Sequence, residues 1–261
     1  MAWQCSGASN VELVDNLYNA GLIKREQVRD AMKKVDRAHY CPDSTVAYED
    51  SPQSIGYRAT ISAPHMHASA AEALLPSITQ ESKGAASISP AAVHILDIGS
   101  GSGYLTAVLA ELAKATAAGG ENAEGIKVVA LEHIPALRDL GEANMRKSDR
   151  GVEMLESGLV DFVVGDGREG WILPGGEDED ICTNVKISAR SRDTIHVGAA
   201  AVTLHQPLVR QLKRPGRLFI PVEDENGRGQ WIWIVDKDAH GNVTKKKTEG
   251  VRYVPLTDAP K

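Results

Sequence analysis

Cysteine is scarce, with three in 261 residues: Cys5, Cys41 and Cys182, odd in number and widely spaced. They form neither a Cys-x-x-Cys metal pair nor a disulfide framework, and read as reduced thiols of a cytosolic or nuclear protein. Nor does any window approach the ~20 continuous apolar residues of a membrane-spanning helix. Met1 to Asn10 lacks an apolar core followed by a cleavage site, so no secretory signal is expected. An excess of positive charge is also missing: 29 Lys and Arg stand against 35 Asp and Glu, a formal charge of −6. That balance, with both signs interspersed, argues against a nucleic-acid binder with a basic face. The one dense basic run, Lys245-Lys246-Lys247, sits beside Gly241-Asn242 and reads as the solvated flank of a hairpin. No internal repeat is found. What is present, 42% apolar and 25% charged residues, is ordinary for a soluble globular protein.

The first forty residues predict two short helices. Val11, Leu13, Val14, Leu17 and Tyr18 recur at helical spacing behind Ser9 or Asn10 as cap, with Gly21 closing; Val28, Met32 and Val35 continue on the second. Residues 50–64 are turn-rich and poorly periodic. A helix follows from Pro64, with proline in its first turn. From residue 94 short apolar runs alternate with helical patterns: strands over 94–98, 127–132, 159–164, 194–197 and 218–222, and helices after 103 and over 135–147. Residues 231–235 and 251–254 read as a final antiparallel pair. This rhythm predicts an α/β fold with a mainly parallel sheet. The chain is read as one domain, with an N-terminal segment 1–80 capping the site and a Rossmann-like core over 94–258. Segments 83–93 and 174–192 are expected as surface inserts.

The sharpest motif is Asp97-Ile98-Gly99-Ser100-Gly101-Ser102-Gly103, between a strand and a helix. Glycines there let backbone approach a ligand, and the helix N-terminus offers free N–H donors. The spacing is G-x-G-x-G and not the dinucleotide G-x-G-x-x-G/A. It resembles the S-adenosylmethionine loop of class I methyltransferases, which implies a sheet with helices on both faces and puts Asp97 near the methionine end of the cofactor. Glu132 ends the next strand, where a carboxylate can accept both ribose hydroxyls, with His133 beside it; Asp166-Gly167 follows the third strand.

The stretch Asp50-Ser51-Pro52-Gln53-Ser54-Ile55-Gly56-Tyr57-Arg58-Ala59-Thr60-Ile61-Ser62-Ala63-Pro64-His65-Met66-His67-Ala68 resembles the signature of protein-L-isoaspartate (D-aspartate) O-methyltransferases. The resemblance continues through residues 36–40, 96–105, 164–168, 195–201, 216–218 and 254–258. It implies methyl transfer to the free α-carboxylate of L-isoaspartyl residues, and of D-aspartyl residues as a further class, with S-adenosyl-L-homocysteine as product. By position, Ser62 matches the family's active-site serine. Ala59, Thr60, Ile61, Ser62, His67, Asp97, Gly99, Ser100, Gly101, Glu132, His133, Asp166, Gly167 and Thr257 would form the cofactor shell. Ser54, Ile55, Gly56, Tyr57, His196, Val197, Gly198 and Ala199 would border the isoaspartyl peptide. The resemblance further implies a monomer; the cytosolic location and the absence of nucleic-acid and membrane partners are expected from the cysteines, the charge balance and the lack of a long apolar run. A C-terminal extension beyond residue 258 is not expected.

An α-carboxyl group of pKa roughly 3.3–3.7 is ionised at neutral pH, so a strong general base is unnecessary. Ser62 is accordingly read as a hydrogen-bonding positioner and not a nucleophile. His65 and His67 are two apart, unlike the i, i+4 pair of a helical zinc site, and no metal is expected. An NAD(P)-dependent oxidoreductase and a non-catalytic adaptor are the competing readings.

Overall fold

The computed structural model describes residues 5–79, 92–116, 125–171, 192–224 and 226–258. Helices α1 (Asn10–Asn19) and α2 (Glu26–Lys34) are followed by strands β1 (Gln53–Gly56) and β2 (Ala59–Ile61) and by α3 (Pro64–Ile78). Then come β3 (Val93–Ile98), α4 (Tyr104–Thr116), β4 (Ile126–Glu132), α5 (Pro135–Met145), α6 (Asp149–Glu156), β5 (Val160–Val164) and β6 (Arg192–Val197). The last elements are α7 (Gln206–Gln211), β7 (Leu212–Glu223), β8 (Gln230–Lys237) and β9 (Val243–Val251).

The seven-stranded sheet has the order β5-β4-β3-β6-β7-β8-β9. Strands β5 to β7 are parallel, and β8 and β9 join antiparallel at one end. Successive side chains point to opposite faces. Thus Ile95, Val128 and Ala130 enter a core shared with α1 to α6, whereas Leu96, Val129 and Leu131 enter a second core with Leu208 and Val209 of α7. Burial on both faces makes these strands continuous apolar runs, and the sequence shows them as such. The first helix starts at Ser9, which accepts the Glu12 N–H at 3.2 Å, while Glu12 accepts the Ala8 N–H at 2.8 Å.

Several expectations change. The stretch 50–64 contains the antiparallel β1–β2 hairpin, with Gln53 opposite Ile61. Its turn residues Tyr57 and Arg58 have φ of 51° and 60°, the geometry of a tight I′ turn that usually signals itself with Asn-Gly. No periodicity predicts α6 or α7, which are 8 and 6 residues long. The strand paired with β8 is Val243–Val251, carrying the lysine run, and not 251–254. Val93 and Arg192, assigned to surface inserts, begin β3 and β6; residues 83–91 and 174–191 lie outside the described residues.

Candidate active site

The chain's progress across the sheet reverses between β3 and β6, since β4 and β5 extend one way and β6 and β7 the other. Such a switch point leaves a crevice at the carboxyl ends of the two strands. The loop from Gly99 to Gly103 occupies it, with φ of +73°, +52° and +85° at Gly99, Gly101 and Gly103, values at which a side chain would be strained. From β6, Gly198 closes in on the loop so tightly that a Cβ there would stand 3.0 Å from the Gly99 carbonyl oxygen.

A small cavity of about 30 Å³ opens beside the loop. Thr60, Ile61 and Ser62 line it from the hairpin, His67 from α3, and His196 and Gly198 from β6 and its exit. Asp97, Gly99, Ser100, Gly101, Ser102, Tyr104, Leu105 and Tyr253 complete the lining. The structure therefore brings together ten expected site residues from four separate stretches of chain.

Sheet register explains one pair. Asp97 lies opposite His196, and His196 opposite Phe219, so all three share a face. His196 Nδ1 donates to Asp97 Oδ1 at 2.8 Å, Thr106 Oγ1 donates to Asp97 Oδ2 at 2.6 Å, and Phe219 stacks on the His196 ring at 5.5 Å. Asp97 is only 1% exposed and braces two neighbours. A carboxylate can only accept, so the hydrogen sits on His196 Nδ1, and Nε2 is the ring's remaining polar atom.

A second buried network lies behind Ser62. Arg37, fully buried, donates to the carbonyls of Ala47 at 3.1 Å and Ser62 at 2.9 Å, with a longer contact to Ser51 at 3.5 Å. Its Nη1 stands 3.4 Å from His67 Nδ1, and its guanidinium lies 5.3 Å from the Tyr104 ring centroid. Guanidinium cannot accept, so His67 Nδ1 must, which places the His67 hydrogen on Nε2. Burial, reinforced by the Arg37 charge, holds the His67 pKa well below its ordinary value, and the ring is a neutral donor. Burial also pushes the Tyr104 phenol up to about 12, keeping its proton in place. The Ser62 hydroxyl bonds neither histidine, and among the described residues it has no partner.

The remaining expected residues surround this cavity without lining it. Glu132 Oε2 accepts the Gly101 N–H at 3.0 Å, while Oε1 accepts the N–H groups of His133 and Ile134 at 2.8 and 3.1 Å and faces His133 Nδ1 at 2.9 Å. These donors fix its carboxylate at the strand end beside the loop. Arg168 grips Asp166 at 2.6–3.0 Å and reaches Asp258 at 2.6 Å. The grip draws the Asp166 carboxyl below its usual range and anchors the stretch carrying Thr257. Any side chain at Gly167 would run into Ile98. On the other side Ile55 lies over the loop, its Cδ1 3.2 Å from where a Gly101 Cβ would be. Ala59 and Ala199 adjoin lining residues in the chain, Ser54 and Gly56 pair across the hairpin with Thr60 and Ala59, and Tyr57 lies in the turn between those strands. Val197 is fully buried with Leu96 and Ile98, so its side chain does not face the site. Arg37, Ser102, Tyr104, Leu105 and Tyr253 were not among the expected site residues. Arg37 falls within the 36–40 stretch of the family resemblance, but a lone arginine after an amphipathic helix carries no local signal of burial, and no site role was expected of it.

The protein-family model for "Protein-L-isoaspartate(D-aspartate) O-methyltransferase (PCMT)" matches residues 8–176 and 188–261. A protein-L-isoaspartate O-methyltransferase of Caenorhabditis elegans is 40% identical over 257 residues, covering 98% of this chain and 96% of the relative. One from Triticum aestivum is 38% identical over 248 residues, covering 95% and 91%. Among solved structures, a Plasmodium falciparum chain described as a protein-L-isoaspartate O-methyltransferase, in complex with S-adenosyl-L-homocysteine, superposes with a TM-score of 0.75 at 25% identity, covering 96% of this chain and 99% of that one.

Proposed function

The chain belongs to the protein-L-isoaspartate(D-aspartate) O-methyltransferase family, and from that membership we infer that it methylates the free α-carboxylate of L-isoaspartyl residues in damaged proteins and peptides, the step that initiates their repair. D-Aspartyl residues are the further acceptor class that the family's name carries. The observation that supports this most is the convergence of Ser62, His67 and His196 on the glycine-loop cavity. The dinucleotide oxidoreductase reading lapses with family membership on both sides of that loop.

The residues fit the cofactor. Ser100 Oγ and Tyr104 Oη are buried in this cavity without a partner among the described residues, and the loop glycines offer backbone at close range, which suits a ligand bearing amine, carboxylate and hydroxyl groups. S-adenosylmethionine supplies a methyl group on a sulfonium centre, leaving S-adenosyl-L-homocysteine. Ala59, Thr60, Ile61, Ser62, His67, Gly99, Ser100 and Gly101 are assigned to hold it near the cavity, with Asp97 bracing them. Glu132, His133, Asp166, Gly167 and Thr257 are assigned to the nucleoside end. Ser54, Ile55, Gly56, Tyr57, His196, Gly198 and Ala199 are assigned to the peptide, with Val197 acting only through its backbone.

The acceptor arrives as an anion, so no side chain has to remove a proton. What the chain contributes is placement. The Ser62 hydroxyl, without a partner among the described residues, and the His67 Nε2–H are two donors that can hold a carboxylate, and well-oriented encounters lower barriers by about 7–11 kcal/mol. Ser62→Ala is expected to keep cofactor affinity, read by calorimetry, and to lose about 10²-fold in kcat, the low end for one positioned donor. Residues 1–80 are read as a cap on the Rossmann-like core, and the protein as a cytosolic monomer that needs no nucleic acid. No helix among the described residues is long and apolar enough to cross a membrane. The deciding experiment is transfer of labelled methyl to an isoaspartyl peptide, with its aspartyl isomer as control. Equal labelling of both, or of neither, would overturn the reading.

A further inference from the structure

A second cavity, about 580 Å³, adjoins the first, within the ~300–1,000 Å³ of ligand sites. Tyr253 lines both cavities. Phe219 stacks on His196 of the first and forms part of the wall of the second. In the first turns of α3, Met66 and Ser69 face the second cavity and His67 the first. Ile232 and Trp231 of β8 extend the apolar surface.

The polar lining carries a bias. Arg228 and Arg252 are exposed at its rim, and neither has an ion pair or hydrogen bond among the described residues. The opposing carboxylate, Glu249, is engaged by the Ser69 hydroxyl. His65 faces Asp50 at 2.8 Å. Lys247, 4.3 Å over the Trp231 ring, adds positive charge beside the groove, although its ammonium also meets Asp224 at 3.3 Å. Two arginines against the one carboxylate of Glu249 thus leave the groove's Arg and Glu side chains with an excess of one positive charge on a chain of net charge −6.

An isoaspartyl residue cannot reach the first cavity without bringing its neighbours in the polypeptide, and this groove is the adjoining space. Resting on the methyltransferase reading, we propose that the groove is a subsite for the substrate segment flanking the isoaspartyl residue, and that it favours segments bearing aspartate or glutamate through Arg228 and Arg252. Apolar side chains of the same segment meet Met66, Phe219 and Trp231.

The test uses three isoaspartyl hexapeptides that differ only in flanking residues: glutamates, lysines or glutamines. At low salt the glutamate peptide is expected to show a KM about twofold to fivefold below that of the lysine peptide, the range of an exposed ion pair, and the gap should shrink as salt is raised. The double variant Arg228→Ala/Arg252→Ala should bring the two KM values together, and Arg252→Glu should reverse their order. Both arginines are exposed, so neither substitution threatens the core. Equal KM values in the unaltered protein, or a preference that survives in the double variant, would overturn the subsite while leaving the activity standing. If the glutamine peptide accepts no methyl group, the methyltransferase reading fails by itself and takes the subsite with it.

Discussion

Arg37 directs its donors to the Ala47, Ser51 and Ser62 carbonyls and His67 Nδ1, and it bonds no carboxylate among the described residues. Its planar fork therefore sets the position of the Ser62 backbone and the tautomer of His67 together. Arg37→Lys keeps the charge but not the fork. It should lower kcat about tenfold, as loss of charge-assisted bonds worth roughly 1.5–3 kcal/mol suggests, with little change in cofactor affinity. Nitrogen-15 NMR of the imidazole should then show a mixture of tautomers in place of Nε2–H alone. Unaltered kcat with a single tautomer would leave Arg37 a purely structural residue. His67 also carries a pH signature. Its pKa is held well below 6.5 by burial first, then by the charges of Arg37, His196 and His65. As pH falls through about 6.5 the unfolded chain takes up a proton that the folded one refuses. Stability is therefore lost downward from that point until the lower folded value is reached, by up to about 1.4 kcal/mol per pH unit, and above it this histidine contributes no slope. Urea unfolding of His67→Asn should show a shallower decline between pH 6.5 and 5; an identical slope would assign the acid sensitivity to other groups.

At the scale of elements, the strands that form the middle of the sheet were legible because burial on both faces leaves only one pattern, a short apolar run between helices. The glycine loop was legible for a related reason: Gly99, Gly101 and Gly103 sit at positive φ, where other residues are strained. The β1–β2 hairpin was not. Its strands are 4 and 3 residues long, and its turn is Tyr57-Arg58, not Asn-Gly. Two consecutive non-glycine residues in the left-handed region each cost roughly 1–2 kcal/mol, a strain typical of segments held for function. This hairpin carries Ile55 over the glycine loop and delivers Thr60, Ile61 and Ser62 to the cavity. Replacing Tyr57-Arg58 with Asn-Gly should thus raise stability by about 1 kcal/mol or more, read as a higher urea midpoint. The same change should raise the KM for peptide, since Tyr57, 56% exposed in the turn, is proposed to border the peptide. A lower or unchanged midpoint would mean that the turn is not strained.

For the whole molecule, the order of strands in space decides which of them ends the sheet, and that order is not written in any local pattern. The lysine run reads from sequence as a solvated flank, which it is; that it lies on the edge strand β9 emerges only from the pairing. Lys245, Lys246 and Lys247 stand opposite Val235, Ile234 and Trp233 of β8, and β9 is exposed along almost its entire length. An edge strand offers unpaired N–H and C=O groups to any passing strand, and lysines are a common way of blunting it. The net charge of −6 works at longer range to keep molecules apart, yet it cannot protect an edge once two copies meet. Lys245→Thr/Lys246→Val would leave Lys247 over Trp231 and raise β-propensity while removing two of the edge charges. The variant should fold with an unchanged thermal midpoint but show a larger mass than the parent at the same concentration, measured by light scattering after gel filtration. If its mass matches the parent's, the edge is guarded by something other than lysine, for which the pairing irregularity between Trp231 and Trp233, a twist that turns the strand away from a partner, is the structural candidate.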